Sequence, residues 1–205
     1  MGSIRRALVA LVTAGAAALA LAAPAQAGLL VKSAQNCDSP SSARVFQQWL
    51  DPFQYVVAPG GNAESAAGWT LKGGAKIVAG NEPWNVGGSD HRSSLLLPAG
   101  SSATTGTMCV GIGHPTMRFF AKRNSGLLST MTVEVVFEGL GGALKSLPIG
   151  VVLGGTKWQP TLPYPVLASL LPLLPGQLTP VQFRFTPLLG SWQIDDVYVD
   201  PWRFR

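Results

Sequence analysis

The chain has 205 residues, of which 47% are hydrophobic and 12% are charged, and its formal net charge is +5. The length fits one domain, and no run of lysine and arginine indicates a nucleic-acid surface. Apart from the first residues, no apolar stretch long enough to span a membrane is free of proline, so the composition argues against an integral membrane protein.

The first residues have the features of a secretory signal peptide. A pair of arginines precedes an apolar run over residues 7–22, and Ala25 and Ala27 occupy the small-residue positions of a cleavage site. We therefore predict that residues 1–27 are removed. The exported chain keeps 13 basic and 10 acidic residues, a net charge of +3.

An N-terminal extension follows over residues 28–57, and residues 58–205 form the predicted main domain. Within the extension, the segment from Cys37 to Val57 indicates a short helical turn and then a strand that closes one edge of a sheet. The two cysteines of the chain are Cys37 and Cys109. An even count in an exported protein favours a disulfide. This bridge would contribute about 4 kcal/mol in the chain-entropy model, and thiol counting should find no free cysteine.

The main domain has the pattern of an all-β protein. Glycine and proline recur at short intervals, and the segments between them are rich in Val, Phe, Leu and Trp rather than in residues with helical spacing. In residues 131–138 apolar and polar side chains alternate, which is the period of a half-buried strand. Further strands are predicted at 68–71, 75–78, 94–97, 108–112, 117–122, 150–153, 181–185 and 192–199.

About nine or ten strands at this spacing predict a sandwich or barrel of antiparallel sheets. One region fits less well. From Leu162 to Gly176 apolar residues alternate with prolines, which predicts an irregular crossing with a short buried strand. An exposed contact patch is the alternative for this segment.

Motifs for catalysis are missing from the sequence. There is no G-x-S-x-G elbow, no H-E-x-x-H, no paired C-x-x-C and no glycine-rich phosphate loop that opens a helix. The two histidines, His91 and His114, lie in predicted loops without a nucleophile motif beside them. Glu134 and Glu138 share a strand face but stand roughly 13 Å apart, too far for a glycosidase pair. We therefore predict that the chain is not an enzyme.

Two adjacent carboxylates, Asp195 and Asp196, stand in the last predicted strand between apolar residues. Alternation places them on opposite sides of the strand, so at least one lies near the apolar face, where a bare charge is costly. Three kinds of partner can satisfy such a group: an arginine such as Arg118 or Arg184, backbone amides, or Ca²⁺.

Three stretches of the sequence carry a resemblance to a known family. PGGNAESAAGWTLKGG and GGSDHRSSLLLPAG lie in the first half of the main domain, and WQIDDVYVD closes it. Together they resemble carbohydrate-binding modules of families 4, 9 and 22 and the wider galactose-binding-like jelly rolls. The resemblance implies a jelly-roll β-sandwich of two antiparallel sheets. It also implies a structural calcium ion where the first and last strands meet, with Glu64, Asp195 and Asp196 as ligands.

A sugar site in such a fold needs aromatic faces for stacking beside a few hydrogen-bonding side chains. The candidates are loop residues of these two kinds: Asn81, Trp84, Asn85, Asp90, Arg92, Trp158, Gln159 and Tyr164. By contrast, Trp49, Trp69 and Trp192 follow strand patterns and are predicted core residues.

These observations predict a secreted, non-catalytic binding module for a carbohydrate or another cell-envelope ligand. We expect no nucleic-acid partner and no membrane association after signal cleavage. A structural or adhesive envelope protein, with a protein partner at residues 162–174, is the alternative. A small hydrolase that uses His91 or His114 is a remote third.

Overall fold

The structure is a computed structural model that describes residues 41–139, 142–166 and 178–201. The predicted signal peptide, Cys37 and most of the segment between residues 162 and 176 lie outside these ranges. The domain boundaries at residues 27 and 57 therefore stay predictions. In the described part of the chain, no helix has the length and apolar character needed to cross a membrane.

The described residues contain one short 3₁₀ helix, Gln47–Trp49, and thirteen strands. In chain order the strands are β1 (Val56–Val57), β2 (Trp69–Lys72), β3 (Lys76–Ala79), β4 (Ser93–Leu97), β5 (Ser102–Thr105), β6 (Met108–Val110), β7 (Thr116–Arg123), β8 (Met131–Glu138), β9 (Leu144–Val152), β10 (Gln159–Pro160), β11 (Tyr164–Pro165), β12 (Thr179–Pro187) and β13 (Trp192–Val199).

These strands form two antiparallel sheets that pack face to face. The seven-stranded sheet has the order β10-β7-β13-β4-β3, with β1 beside β13 and β11 beside β7. The six-stranded sheet has the order β2-β5-β12-β8-β9, with β6 beside β12. The predicted all-β sandwich is confirmed. Strand β13 lies between β7 and β4 and is therefore central to its sheet.

The main core lies between the two sheets and follows the predicted alternation. On β12, Val181, Phe183 and Phe185 are completely buried, whereas Gln182 and Arg184 are only partly buried on the outer face. Burial of each large apolar side chain contributes about 1.5–3 kcal/mol. This contrast between inner and outer positions fixes the register of β12, because a shift by one residue would exchange the two faces.

A second apolar cluster covers the outer face of the seven-stranded sheet. The neighbours Phe119 and Phe120 on β7 point to opposite faces, so Phe119 joins the main core and Phe120 joins the second cluster. We call the second cluster the aromatic cluster. Its buried residues are Phe46, Tyr55, Phe120 and Tyr198, and its partly buried residues are Val45, Trp49, Val86 and Trp158.

The N-terminal extension covers this face. Phe46 stacks on Phe120 with ring centroids 5.5 Å apart, and Tyr55 meets Phe46 edge-on at 4.9 Å. The predicted helical turn of the extension is the 3₁₀ helix. The predicted edge strand is β1, which pairs with β13. Residues 42–55 are thus part of the sandwich, and we call them the covering segment.

The three predicted core tryptophans have different environments. Trp192 is fully buried in the main core, and Trp69 packs against that core while partly buried. Trp49 is partly buried against the aromatic cluster on the outer face, and it ends the 3₁₀ helix rather than lying in a strand. Its neighbouring residues have a strand-like apolar pattern, but they form a turn that wraps over the sheet.

Cys109 lies on β6 and is 5% exposed. The described ranges contain no free cysteine. Its predicted partner, Cys37, lies outside them, so the Cys37–Cys109 bridge stays a prediction.

Candidate functional site

The two carboxylates of β13 stand at a β-bulge. The pairing of β13 with β7 is regular up to Asp195, which faces Phe120, and resumes at Tyr198 after a register shift. Asp196 has a φ of 50°, in the left-handed region. Ile194, which precedes the doublet in the chain, and Val197, which follows it, both belong to the main core. The bulge therefore turns both carboxylates away from the core, and the prediction that they lie on opposite sides of the strand was wrong.

Asp195 and the buried Glu82 hold the loop between β3 and β4. One oxygen of Asp195 accepts a hydrogen bond from the Glu82 backbone at 3.1 Å, and the other accepts the Asp196 backbone N–H at 2.9 Å. The Glu82 carboxylate accepts the backbone N–H groups of Trp84 and Val86, each at 2.6 Å. Backbone amides thus satisfy Asp195. They are one of the three kinds of partner that the sequence left open.

Asp196 differs, because the Gly87 backbone N–H and the Glu82 carboxylate lie near enough to act on its pKa but form no hydrogen bond of normal geometry with it. Both of its carboxylate oxygens are buried without a hydrogen bond, as are Asn81 Oδ1 and His91 Nδ1. His91 Nδ1 stands 3.8 Å from Asp196 Oδ1, which is too long for a hydrogen bond. A Cβ atom on Gly87 would lie 2.5 Å from the same oxygen, so only glycine fits beside Asp196.

Neither candidate arginine reaches the doublet. Arg118 pairs with Asp51 at 2.5 Å, and Arg184 lies 3.7 Å from Glu134 on the other sheet. The prediction that Arg118 or Arg184 satisfies the doublet is therefore wrong.

Burial and mutual repulsion raise the pKa values of the doublet. Burial, and then the charge of Asp196, raises the pKa of Asp195 to about 9. Burial, followed by the charges of Glu82 and Glu64, raises the pKa of Asp196 to about 7. Glu64 itself accepts the backbone N–H groups of Arg92 and Ser93, each at 2.9 Å.

Glu64 lies near enough to Asp196 for its charge to act on that carboxylate, and the three-ligand site that the resemblance implied stays a prediction. Among the described residues, however, no three His, Cys, Asp or Glu side chains stand in the arrangement of a metal-binding group. A cation here would need amide or backbone oxygens as further ligands.

Two of the predicted sugar-site aromatics lie against the aromatic cluster. Trp84 is 39% exposed, meets Trp49 edge-on at 5.1 Å and lies 5.5 Å from Phe120. Trp158 is partly buried against the same cluster, with Lys122 Nζ 5.0 Å from its ring centroid. The outer face of the seven-stranded sheet thus collects the tryptophans that sequence reasoning had placed in separate loops.

The other predicted residues do not converge on one point. Tyr164 packs against the main core, stacks on Phe119 at 5.9 Å and donates to the Val151 carbonyl at 3.3 Å. It lies apart from the tryptophans. Asn85 accepts a hydrogen bond from the Asn81 amide at 2.9 Å. The exposed residues of the set are Asn85, Asp90, Arg92 and Gln159.

Sequence reasoning missed a cavity of about 590 Å³ beside the aromatic cluster. The covering segment lines it with Trp49, Phe53 and Tyr55, and Leu162 and Pro163 also line it. Three charged residues also line it: Asp51, Arg118 and Asp200. We call this site the aromatic cavity.

The ion pair in the aromatic cavity is buried and fully engaged. Asp51 is 8% exposed and Arg118 is 6% exposed. Asp51 accepts hydrogen bonds from the Arg118 guanidinium at 2.5 Å, the Tyr55 hydroxyl at 2.8 Å and the Phe53 backbone at 3.2 Å. Arg118 Nε donates to the Thr161 carbonyl at 2.8 Å. A sequence signal existed, because Arg118 interrupts an apolar strand and a buried arginine requires an acidic partner.

A second depression lies on the outer face of the six-stranded sheet. Its volume is about 480 Å³, and its lining includes Lys72, Glu134, Gln182 and Arg184. No aromatic side chain lines it among the described residues. We call it the polar trough.

No protein-family model matches this chain, and no curated protein matches it. Among solved structures, the chain is similar to the family 22 carbohydrate-binding module with glycoside hydrolase family 10 modules of Clostridium thermocellum xylanase 10B, complexed with xylohexaose. The TM-score is 0.50 and the identity 14%, over 73% of this chain and 28% of that one. It is also similar to the xylan-binding CBM22-1 domain of Paenibacillus barcinonensis Xyn10C, with a TM-score of 0.49 and 11% identity, over 75% of this chain and 97% of that one.

At such identities the likeness shows the fold alone. The chain has the jelly-roll β-sandwich of carbohydrate-binding modules, as the resemblance implied. The match spans little more than a quarter of the xylanase 10B chain, so the activity of that whole protein is not transferred to this chain.

Proposed function

We propose that this chain is an exported, non-catalytic module that binds carbohydrate at the aromatic face of the seven-stranded sheet. The proposal rests mainly on the presence of the aromatic cavity. The cavity is lined by aromatic and aliphatic side chains and by a few charged, hydrogen-bonding groups, which is the usual composition of a cleft for a polar ligand. The tryptophans beside it supply further faces on which sugar rings can stack.

The position of the exposed aromatic residues supports the same face. Trp84, Asn85 and Trp158, which the sequence singled out, lie on this side of the molecule. Trp84 is held by the hydrogen bond from its backbone to Glu82 and by ring contacts with Trp49. A rigid aromatic surface loses little entropy on binding, which favours a stacking role.

The test is binding to a panel of soluble glycans by isothermal titration calorimetry, with xylohexaose included because the similar structure contains it. Phe53→Ala and Trp84→Ala are suitable variants because these side chains are 51% and 39% exposed. Each should weaken binding roughly tenfold, since loss of an aromatic contact at a binding site costs more than about 1 kcal/mol. Gln182→Ala in the polar trough is the matched control and should bind like the wild type.

Two results would contradict the proposal in different ways. Loss of binding in Gln182→Ala with full binding in Phe53→Ala would keep the carbohydrate but move its site to the polar trough. Absence of binding to every glycan on the panel would reject the function itself.

We further propose that a calcium ion binds at the aspartate doublet, where the resemblance implied it. The support is the environment of Asp196: both of its carboxylate oxygens are buried without hydrogen bonds, and the negative charges of Glu82 and Glu64 act on it. Ca²⁺ prefers carboxylate and carbonyl oxygens of this kind. Its role would be to neutralise the clustered carboxylates and join β13 to the loops around it.

Thermal unfolding with calcium and with chelator tests the metal proposal. A ligand that binds only the folded state must raise its stability, so calcium should raise the midpoint of the wild type. Asp196→Asn should lose most of this response, and Glu134→Gln in the polar trough should keep it. An unchanged wild-type midpoint in excess calcium and in chelator would exclude the ion.

A protein-contact function is the second candidate. Leu127, Leu128 and Leu153 are 84%, 80% and 78% exposed, and they line a smaller cavity of about 270 Å³. Leu162, in the segment predicted as a contact patch, is 79% exposed. Grouped exposed leucines mark interaction surfaces more often than isolated ones. Self-association in sedimentation, with no glycan binding, would favour this function.

A further inference from the structure

We propose that the aromatic cavity binds an organic cation: its ammonium group pairs with Asp200, and its apolar body or sugar ring lies against Trp49, Phe53 and Tyr55. The inference rests on the proposed function for the site and adds the charge of the ligand. An amino sugar and a non-sugar amine share this chemistry.

Among the residues that the structure describes, Asp200 is the charged group of the cavity for which no partner is found. It is 4% exposed and lines the cavity. Its backbone N–H donates to the Thr116 carbonyl at 2.8 Å, but its carboxylate forms no hydrogen bond or ion pair with any residue that the structure describes. A buried carboxylate without a partner is costly, and a ligand that supplies one removes this cost.

The neighbouring charges do not compensate Asp200. The Arg118 guanidinium donates to Asp51 and to the Thr161 carbonyl and lies 4.4 Å from the ring of Phe46. Asp51 and Arg118 neutralise each other, so the cavity has an excess of one negative charge. Burial, and then the charge of Asp51, raises the pKa of Asp200 to about 6, which leaves the carboxylate mostly ionised at neutral pH.

The walls favour the same class of ligand. Aromatic rings attract ammonium groups through their negative faces, and this attraction grows when water is excluded. The apolar side chains around the opening accommodate the uncharged part of the molecule. A neutral ligand of equal shape would cover Asp200 and leave it unpaired, whereas a cationic one would pair with it, so the site should discriminate by charge.

Two matched pairs of probes test the inference at pH 7 by isothermal titration calorimetry. The first pair is the trimer of glucosamine and the trimer of N-acetylglucosamine, which differ in the charge of the amino group. The second is benzyltrimethylammonium and benzyl alcohol, which contain no sugar. In the wild type, the cationic member of a pair should bind roughly tenfold tighter or more, since a buried charge pair contributes at least that much.

Asp200→Asn is the informative variant. It keeps the shape of the side chain and removes an uncompensated buried charge, so it should fold at least as stably as the wild type. It should lose the preference for the cationic probe while still binding the neutral one. Glu134→Gln, which removes a carboxylate from the polar trough, should keep the preference.

Each outcome decides something. Preference for the glucosamine trimer alone identifies an amino sugar, and preference in both pairs identifies organic cations in general. Binding of benzyltrimethylammonium without any glycan would support the inference and reject the carbohydrate function. Equal affinity for the charged and the neutral glycan, or a preference for the cationic probe that persists in Asp200→Asn, would overturn the inference. Neither result would contradict the carbohydrate-binding function. Absence of binding by all four probes would overturn the inference.

Discussion

The two sheets of the sandwich share one core, but their outer faces have different environments. The six-stranded sheet presents the polar trough, where Glu134 and Arg184 are partly exposed. The outer face of the seven-stranded sheet is covered by the covering segment and by the loop between β3 and β4. All eight residues of β13 are buried, and the aromatic cavity lies under the covering segment.

The difference between the two outer faces shows how a covering segment changes the environment of the polar side chains on a sheet. On an open face, polar side chains are solvated and their charges contribute little. Under a cover, the same kinds of side chain need hydrogen-bonding or charged partners within the protein. A side chain without such a partner is a candidate for ligand binding. Among the described residues, Asp196 and Asp200 are carboxylates for which no hydrogen-bonded partner is found. Buried carboxylates without partners are candidate ligand sites, because a cation or a hydrogen-bond donor relieves them.

The largest effect that we expect is a fall in stability as the pH rises in the presence of chelator. Asp195, Asp196 and Asp200 have pKa values of about 9, about 7 and about 6, above the ordinary value of 3.8. The folded chain therefore holds protons that the unfolded chain releases. This stabilisation is complete below about pH 4 and is lost as the pH rises through these values, by up to about 1.4 kcal/mol per pH unit for each proton.

Urea unfolding at pH 5, 7 and 9 measures this dependence. Asp196→Asn should reduce the slope, because it removes one buried acid and the charge that acts on Asp195. Glu134→Gln, in the polar trough, should leave the slope unchanged. A stability that stays constant or rises from pH 5 to pH 9 in chelator would contradict the assignment of these groups to a covered, uncompensated environment.

Truncation of the covered face comes next in size. Phe120→Ala should lower the free energy of unfolding by about 4 kcal/mol, because it removes the ring at the centre of the aromatic cluster and leaves a cavity. Thr186→Ala, on the outer face of β12, should change stability by less than about 0.5 kcal/mol. Urea denaturation of both variants checks the contrast. Similar small losses would mean that the covering segment contributes little to the fold.

The extent to which the fold was predictable differs from strand to strand within the six-stranded sheet. On β8 and β12, one face is buried and the other is partly solvated, so the apolar pattern alone located both strands. Strand β5 was missed because SATT has no large apolar side chain, although it pairs with both β2 and β12. Strand β9 begins earlier than predicted. Its Pro148 lies at an edge of the sheet, where proline is tolerated.

The candidate sites were less predictable than the strands. Chemistry placed Trp84 and Trp158 in binding roles, and the resemblance placed Glu64 near the doublet, but none of these patterns encodes a β-bulge. Asp196 departs from simple alternation because of its positive φ, and a single sequence gives no signal for that. The aromatic cavity depends on the covering segment folding back over β7, a long-range contact that local patterns do not specify.

The ion pairs of the two faces give the sharpest test of the comparison. Arg184→Met should cost no more than about 1 kcal/mol, because its partner Glu134 stands 3.7 Å away on an open face. Arg118→Met should cost about 3 kcal/mol, since it leaves Asp51 buried without its cation.

The double variant Asp51→Asn with Arg118→Met separates charge from packing. Removing both charges abolishes the unpaired carboxylate, so the double variant should recover a large part of the loss seen in Arg118→Met. No such recovery is expected when Glu134→Gln is added to Arg184→Met, because the solvent already screens that carboxylate. Both cycles are measured by urea denaturation at pH 7. Equal coupling energies on the two faces would show that the covering segment does not exclude water from the Asp51–Arg118 pair.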